Sequence, residues 1–565
     1  MILGIWDGHD AGACLIEGGK VLAALNEERL SRKKLDIGFP ALAAAHCLKL
    51  AGADPSQVTA AALSTSDLAK TLGRIFPALP QKHYQFRRRK QQLPFTNWQK
   101  QFKFWLTSFG PSPMLARLSE QETRKSLARL GFSSYQFRLI DHHRAHACAA
   151  AFASPFEEAA VITLDGLGDG ASGSISKLSG GTLEEIKRIS ALNSLGIFFE
   201  QVTYLLNMRE LEDEGKVMAL ADYSLPIPAE KNPLNDLFTV QGLELKARLT
   251  PRQMFNHLGK LLWQTPFEQF ARMAQDTLQD KAVQLVANAL SATGKSNLCL
   301  AGGLFANVKL NMLLRKLPQT KGWFVFPHMG DGGLALGTAA AADYEINGRS
   351  RIDLSHVFFG SSFGEPEMEA ALKTGKLHYR KESDIAKIVA ELIAKGEIVL
   401  WFQGAGEYGP RALGHRSILA PADSLKVKDD LNLKLKRRSW FQPFCPSMLE
   451  EDALELLADY GGESSPFMTM AYAVKPEARE RLEAVISIDG SCRPQILPRG
   501  EKSLYRELIE TVKQLKGTGC VLNTSFNLHG EPLVETPADA VQVMTRYNFP
   551  YLAMGDFLAS GDKSA

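Results

Sequence analysis

The 565-residue chain is poor in cysteine, and none of its seven falls in a CxxC pair. Cys14, Cys47, Cys148, Cys299, Cys445, Cys492 and Cys520 are scattered and odd in number, which argues against a disulfide framework and against a zinc ribbon. A reducing cytoplasm is the expected compartment. Long apolar runs are missing too: stretches such as Ile398 to Phe402 are too short to span a bilayer. The opening Met1-Ile2-Leu3-Gly4-Ile5-Trp6-Asp7 has no basic segment and no small-residue cleavage site, so no secretory signal is expected. Nor is one sign of charge dominant. A formal net charge of +3 gives no overall bias toward nucleic acid. The segment Ala301-Gly302-Gly303-Leu304-Phe305-Ala306-Asn307 is neither a Walker A motif nor GxGxxG, and no low-complexity tract or internal repeat is visible.

What is present is ordinary soluble material, 45% hydrophobic and 22% charged, in a chain too long for one core. Two or three domains are therefore expected. Residues 2–6, 13–16 and 21–25 read as three strands joined by tight turns, the first being Asp7-Gly8-His9-Asp10-Ala11-Gly12. Buried-type strands at 136–140, 160–164, 297–300 and 323–327 alternate with helical patterns, which predicts an α/β fold. The pattern lapses near residue 350 and resumes near Leu377, so a boundary is placed there, giving domains 1–350 and 351–565. Residues 80–130 stand apart, with Arg87-Arg88-Arg89-Lys90 set among Tyr84, Phe86, Phe95, Trp98, Phe102, Phe104 and Trp105. Such a segment suits a sugar, an anionic amphiphile or glycolipid, or an anionic membrane surface. The preferred reading is a surface helical hairpin whose aromatics pack on the main domain, since aromatics mostly serve packing.

His142 and His146 are four residues apart, which on a helix sets both imidazoles on one face. Asp165 ends a buried strand and is followed by Gly166, Gly168 and Gly170; Asp331 follows Gly330 in a glycine-rich loop after another strand. Carboxylates at strand ends beside glycines occur where backbone approaches a phosphate or metal, and also as simple turn caps. Two histidines and two aspartates would leave coordination positions open, as a catalytic metal requires, and this donor set suits Fe2+, Zn2+ or Mn2+. Gly302-Gly303 and Asn307 lie between a strand and a helix, where a helix N-terminus favours an anion. Further on, Arg411, His415, Arg416 and Ser417 lie in and beside the glycine-framed loop Gly409–Gly414. Lys434, Lys436, Arg437 and Arg438 follow, then Arg493, Asn523, Ser525 and Asn527. Guanidinium forks and lysine ammonium groups are the usual grip on phosphate.

Taken in order, these motifs resemble the NodU/CmcH carbamoyltransferase family. The resemblance is carried by His9-Asp10, Glu27-Glu28-Arg29 with Ser31-Arg32, His142/His146, Asp165-Gly166, Glu214-Gly215-Lys216-Val217-Met218, Gly302-Gly303 with Asn307, Gly409-Pro410-Arg411-Ala412-Leu413-Gly414, and Asn523-Thr524-Ser525-Phe526-Asn527. It implies an N-terminal actin-like (ASKHA) domain with a duplicated βββαβα core and a C-terminal YrdC-like α/β domain. It also implies a two-stage reaction. The C-terminal domain would join carbamoyl phosphate and ATP, with Mg2+, into carbamoyl-adenylate and pyrophosphate. The N-terminal metal site would pass the carbamoyl group to a hydroxyl of a small molecule or sugar, releasing AMP. By the same resemblance His9, with Asp10 beside it, is either the base or a phosphate-loop hydrogen-bonding group. Gly166, Gly168, Lys216, Gly302, Gly303, Asn307 and Gly330 would face the nucleotide. Arg411, His415, Arg416, Ser417, Lys436, Arg438, Arg493, Asn523, Ser525 and Asn527 would hold ATP and carbamoyl phosphate. The family's usual Arg-Glu then Phe-Arg-Pro reads here Arg438-Ser439 then Phe441-Gln442-Pro443, as if one salt bridge had been deleted. The competing readings are threonylcarbamoyl transfer to tRNA, which the near-neutral charge disfavours, and an actin-like nucleotide-binding protein without transferase activity. No nucleic-acid partner is expected, a homodimer is compatible, and the acceptor is not legible.

Overall fold

A computed structural model describes residues 1–87, 104–436 and 438–561. The chain forms two compact units, Met1–Ser31 with Leu35–His356, and Arg32–Lys34 with Val357–Ala565. Among the described residues no helix is long and apolar enough to cross a membrane.

The first unit contains two five-stranded sheets of the same design. In one, Ile2–Trp6 is paired antiparallel with Gly12–Glu17, which pairs with Lys20–Asn26; on its other side it runs parallel to Ala60–Ser64, then Gln136–Ile140. In the other, Glu158–Gly168 takes the central place, with Ala171–Ser179 and Thr182–Ser190 antiparallel on one side and Asn297–Ala301 and Gly322–Val325 parallel on the other. Each strand order therefore reads third, second, first, fourth, fifth. This is the duplication expected of an actin-like core, and no sequence repeat betrays it. Backbone pairing and burial alone specify the order, so the two halves share pattern without sharing residues. The inner strands of the first sheet are nearly all apolar because both faces are covered: Leu3, Ile5, Ala13, Ala61 and Leu63 are fully enclosed.

The second unit is a mixed eight-stranded sheet. From one edge the order is His378–Lys381, Phe557–Ser560, Tyr551–Met554, Val399–Phe402, Arg416–Pro421, Cys520–Ser525, Cys445–Leu449 and Gln495–Leu497. Helix Ile385–Ala394, capped by Asp384, buries Ile385, Ala386, Val389, Ala390 and Ile393 at helical spacing. With helix Leu504–Lys516 it covers Trp401, Leu419 and Val521 of the sheet. A π-helical turn, Asp430–Leu435, interrupts the chain just before Lys436. Such wide turns recur where a side chain must be re-aimed.

Candidate metal centre and anion site

Asp141 accepts a hydrogen bond from the Arg144 amide and caps the helix His142–Phe152, which starts with three histidines in its first five residues. Helical spacing turns His142 and His146 toward the same point, and strand Glu158–Gly168 and the turn Asp331–Gly333 bring Asp165 and Asp331 to it. His142 Nε2 lies 3.2 Å from Asp165 Oδ2 and 3.6 Å from Asp331 Oδ1; His146 Nε2 lies 3.6 and 3.5 Å from the same two atoms. All four ligand atoms fall within 4.8 Å of one another. Donors about 2.1 Å from a common ion must stand about 3.0–3.4 Å apart, so the spacing fits a cation. His146 Nε2 and Asp331 Oδ1 are also buried without a hydrogen bond, a costly condition that metal ligation would relieve. The electrostatics agree. Burial opposes a charged imidazole, but Asp331 and Asp165 outweigh it and lift His142 to about 9. Burial likewise opposes a charged Asp165, yet the hydrogen-bonded His142 and the nearby His146 imidazole hold it well below the usual carboxylate range. His143 does not join them. Burial and the neighbouring His142 and His146 depress it to about 3, and its Nδ1 pairs with Thr163 Oγ1 at 3.0 Å.

Two residues beside this cluster, Thr65 and Asp169, are not among the expected site residues. Thr65 directly follows strand Ala60–Ser64 and sits at φ +73°, strained for a β-branched side chain. Its hydroxyl lies 3.4 Å from His142 Nδ1. Asp169 accepts the His142 amide at 2.9 Å and the Ser66 amide at 3.3 Å. Gly168 must be glycine because a Cβ there would fall 2.2 Å from the His142 ring. Thr65→Val is expected to weaken metal affinity about tenfold, measured by competition with a chelating dye, while Thr65→Ser keeps it. Equal loss in both variants would remove the hydroxyl from this role.

His9 Nδ1 stands 3.4 Å from Asp331 Oδ2, beside the cluster. Asp10 is turned the other way, its carboxylate 4.0 Å from His328 Nε2, and its carbonyl accepts from Asn26. A cavity of about 370 Å³ opens here, and His9, His142, Asp165, Asp331, Gly166 and Gly168 line it with Trp6, Lys70, Glu200, Glu210, Arg252 and Phe255. The glycines of the expected nucleotide site converge on the same strand ends. Gly303 N–H donates to Asp165 Oδ1, and Gly302, at φ +102°, donates to the Met329 carbonyl next to Gly330. A Cβ on Gly302 would strike the Leu164 carbonyl at 2.2 Å. Two other expected residues are committed within the fold. Lys216 pairs with Asp213 at 2.8 Å, and Asn307 exchanges two amide hydrogen bonds with Gln275 while capping helix Val308–Arg315.

In the second unit, the strand–loop segments bring seven of the ten expected residues into two adjoining clusters. Lys436 Nζ, buried, donates to the Ser525 carbonyl at 2.6 Å, to Ser525 Oγ and Asn527 Oδ1 at 3.3 Å, and to Thr524 Oγ1 at 3.4 Å. None of these partners is charged. Burial and the nearby Arg438 hold its pKa well below the lysine range. Arg493 donates to Cys445 Sγ from Nε and Nη2 at 3.2 and 2.9 Å. Burial, then Arg493 and Arg438, depress Arg411 to about 9, and Arg411 Nε is buried without a hydrogen bond. Crowded, desolvated cations of this kind suit a polyanion. Asn523 supports the floor through Ala412, Ser447 and Gln495.

Three residues expected at the phosphates are placed otherwise. Arg416 is fully buried and donates to the carbonyls of Gln403, Gly404, His415 and Ser361, with its guanidinium 3.7 Å over Phe402. It fixes the loop and has no face for a ligand. Ser417 accepts from the Gly414 amide, and His415 stacks on Phe358 at 3.7 Å. The loop's organiser is Glu407, whose Oε1 accepts the amides of Leu413, His415 and Arg416. At the family departure, Ser439 and Gln442 bond to each other at 3.2 and 3.1 Å, so a neutral pair stands where the salt bridge is expected.

Residues 1–340 match the carbamoyltransferase N-terminus family and residues 390–560 the carbamoyltransferase C-terminus family. The chain therefore belongs to the carbamoyltransferases. An uncharacterized protein of Methanocaldococcus jannaschii is 30% identical over 99% of this chain and 99% of its own length. Nodulation protein NolNO of Sinorhizobium fredii is 32% identical over 97% of this chain and 78% of its own. Among solved structures, component A of (R)-2-hydroxyglutaryl-CoA dehydratase from Acidaminococcus fermentans aligns at a TM-score of 0.34 and 13% identity, over 60% of this chain and 98% of that one.

Proposed function

We propose that the chain is an O-carbamoyltransferase that uses ATP and carbamoyl phosphate and delivers the carbamoyl group to a hydroxyl of a small molecule or sugar. The carrying observation is the donor cluster His142, His146, Asp165 and Asp331, three of which line a cavity of about 370 Å³, in a carbamoyltransferase. The C-terminal unit, taken here as YrdC-like, performs activation. Carbamoyl phosphate, ATP and one water give carbamoyl-adenylate, pyrophosphate and phosphate. Arg411, Arg438, Arg493 and Lys436 balance the phosphate charges, while Ser525 and Asn527 keep Lys436 pointed inward. Adenylation gives a poor electrophile a good leaving group.

In the N-terminal unit, the four donors hold a divalent cation, most simply Fe2+ with Zn2+ or Mn2+ compatible, whose chemistry when bound is to polarise the carbamoyl carbonyl. Asp331 orients His9 through Nδ1, which leaves Nε2 to take the proton of the acceptor hydroxyl. Trp6 and Phe255 give the cavity apolar walls; Glu200, Gln201 and Glu210 give it acceptors for further hydroxyls. The acceptor oxygen attacks the carbamoyl carbon, the mixed anhydride bond breaks, and AMP leaves.

Pyrophosphate release by the full-length protein is expected to need ATP and carbamoyl phosphate together, and to proceed without threonine or bicarbonate. Pyrophosphate release that instead requires threonine and bicarbonate would move the enzyme to threonylcarbamoyl chemistry. No release under either condition would leave a nucleotide-binding protein.

A further inference from the structure

Residues 88–103, which hold most of the basic and aromatic segment, lie outside the described residues. The run Thr65-Ser66-Asp67 is described throughout, and Thr65 and Asp67 line the cavity with His142, Asp165 and Asp331. Asp67 caps helix Leu68–Ile75, its Oδ1 accepting the Lys70 amide at 2.8 Å. A capping aspartate on a protein surface turns its second oxygen to water. Here the residue is 0% exposed, and Oδ2 has no hydrogen-bond partner among the described residues. The cations nearby are engaged elsewhere. Lys70 Nζ lies over the Trp6 ring at 4.2 Å, and Arg74 holds Asp7 at 2.6 and 2.9 Å. Burial pushes the Asp67 carboxyl up from its ordinary value, and Lys70, Arg74 and His142 restrain that rise. A buried acceptor without a donor is costly, so a donor brought by whatever fills the cavity is the missing element. The run is also fastened to His142. The Thr65 hydroxyl lies 3.4 Å from His142 Nδ1, and Asp169 accepts both the Ser66 and the His142 amides. Asp67 therefore stands at the metal end of the cavity.

We infer that Asp67 Oδ2 accepts an N–H of the transferred carbamoyl group and so selects carbamoyl over acyl groups that lack the amino nitrogen. This deepens the proposed transfer at the metal centre and rests on it. With the carbonyl oxygen directed at the four donors, the amino group on the same carbon still needs an acceptor. Asp165 and Asp331 are then ligands, and Asp169 already accepts two amides, so Asp67 is the carboxylate left beside His142. An acetyl group has the shape of a carbamoyl but sets a methyl against this oxygen and leaves it unpaired. An N-substituted carbamoyl keeps one N–H, but its substituent has to fit beside a fully buried carboxylate. The acceptor hydroxyl does not fill the role, because its one proton goes to His9 in the proposed transfer.

The test uses hydroxyurea and acetohydroxamate, which share a chelating hydroxamate group and differ by an amino group against a methyl. Each is titrated calorimetrically into the Zn2+-loaded full-length protein, and the ratio of the two affinities is read. Asp67→Asn is expected to lower the ratio of hydroxyurea to acetohydroxamate affinity at least about tenfold. The cap keeps the new amide's oxygen on the Lys70 N–H, so its NH2 replaces Oδ2 and meets the ligand's own NH2. Asp67→Ser also caps a helix but offers no second oxygen, and lowers the ratio by a similar factor. Acetohydroxamate affinity stays within about twofold in both variants, which a general loss of structure or of metal would not allow. An unchanged ratio in both variants, parallel loss of both ligands, or no binding of hydroxyurea to the unaltered protein would overturn the inference. Pyrophosphate release from ATP and carbamoyl phosphate is measured on the unaltered protein alongside. Its absence there counts against the transferase reading, whereas an unchanged affinity ratio with release intact sinks the role of Asp67 alone.

Discussion

His142→Ala is expected to lower carbamoyl transfer about a thousandfold or more, roughly 4 kcal/mol in the barrier, while carbamoyl-adenylate still forms at the unaltered rate. His142 contributes one of four donors and also balances two buried carboxylates, Asp165 and Asp331, at 3.2 and 3.6 Å. Without it, two carboxylates share an enclosed space with one imidazole, and cation affinity falls. The two half-reactions are read separately: carbamoyl-adenylate by exchange of labelled pyrophosphate into ATP, transfer by AMP and carbamoylated acceptor. Metal content of the purified protein gives a third readout. Because the side chain is buried, thermal unfolding must accompany the assay, and His142→Asn, which retains a donor, controls for the lost volume. A variant that melts normally, yet loses pyrophosphate exchange as fully as transfer, would break the two-site scheme. A variant that keeps transfer would remove His142 from the centre.

Legibility in the sequence followed a physical rule. Features set by local periodicity were readable. The strand 136–140 was placed to the residue, and 2–6 likewise; the strand expected at 160–164 runs from Glu158 to Gly168, and that at 323–327 ends at Val325. The four metal donors were found because two lie one helical turn apart and two close apolar strands. Thr65 obeys the same strand-end rule, in Ser64-Thr65-Ser66-Asp67, and was open to discovery by it. Other contributors act through backbone amides supplied by tertiary folding. Asp169 reaches the His142 amide from 27 residues away, and Glu407 gathers three amides of one loop. No spacing announces such bonds. Arg416 shows the converse error: composition marks an arginine beside Arg411 as a phosphate ligand, but whether a guanidinium meets a ligand or four carbonyls depends on where the chain returns. Lys216 and Asn307 belong to the family motif and yet serve a salt bridge and a helix cap here. Motif membership and ligand contact are separate properties.

The second large effect belongs to the other half-reaction. Arg411→Ala is expected to reduce carbamoyl-adenylate formation about a hundred- to a thousandfold, with metal content and melting behaviour retained. Its guanidinium is crowded by Arg493 and desolvated, so the folded protein carries a repulsion that the bound phosphates relieve. Removing it should leave the protein as stable or slightly more so without ligand, and deaf to phosphate-like anions. Lys436 sharpens the test through pH. Its folded pKa lies below the unfolded value of about 10.4, so between the two values the unfolded chain binds more protons and stability rises with pH. An anion bound against Lys436 favours the ammonium form and reverses that preference. Sulfate, which does not titrate near neutrality, should therefore raise the melting temperature more at pH 6 than at pH 9, and Lys436→Met should shrink that difference to the share contributed by Arg411, itself depressed to about 9. A sulfate effect equal at both pH values, or one surviving in Arg411→Ala and Lys436→Met alike, would place the anion site elsewhere in the chain.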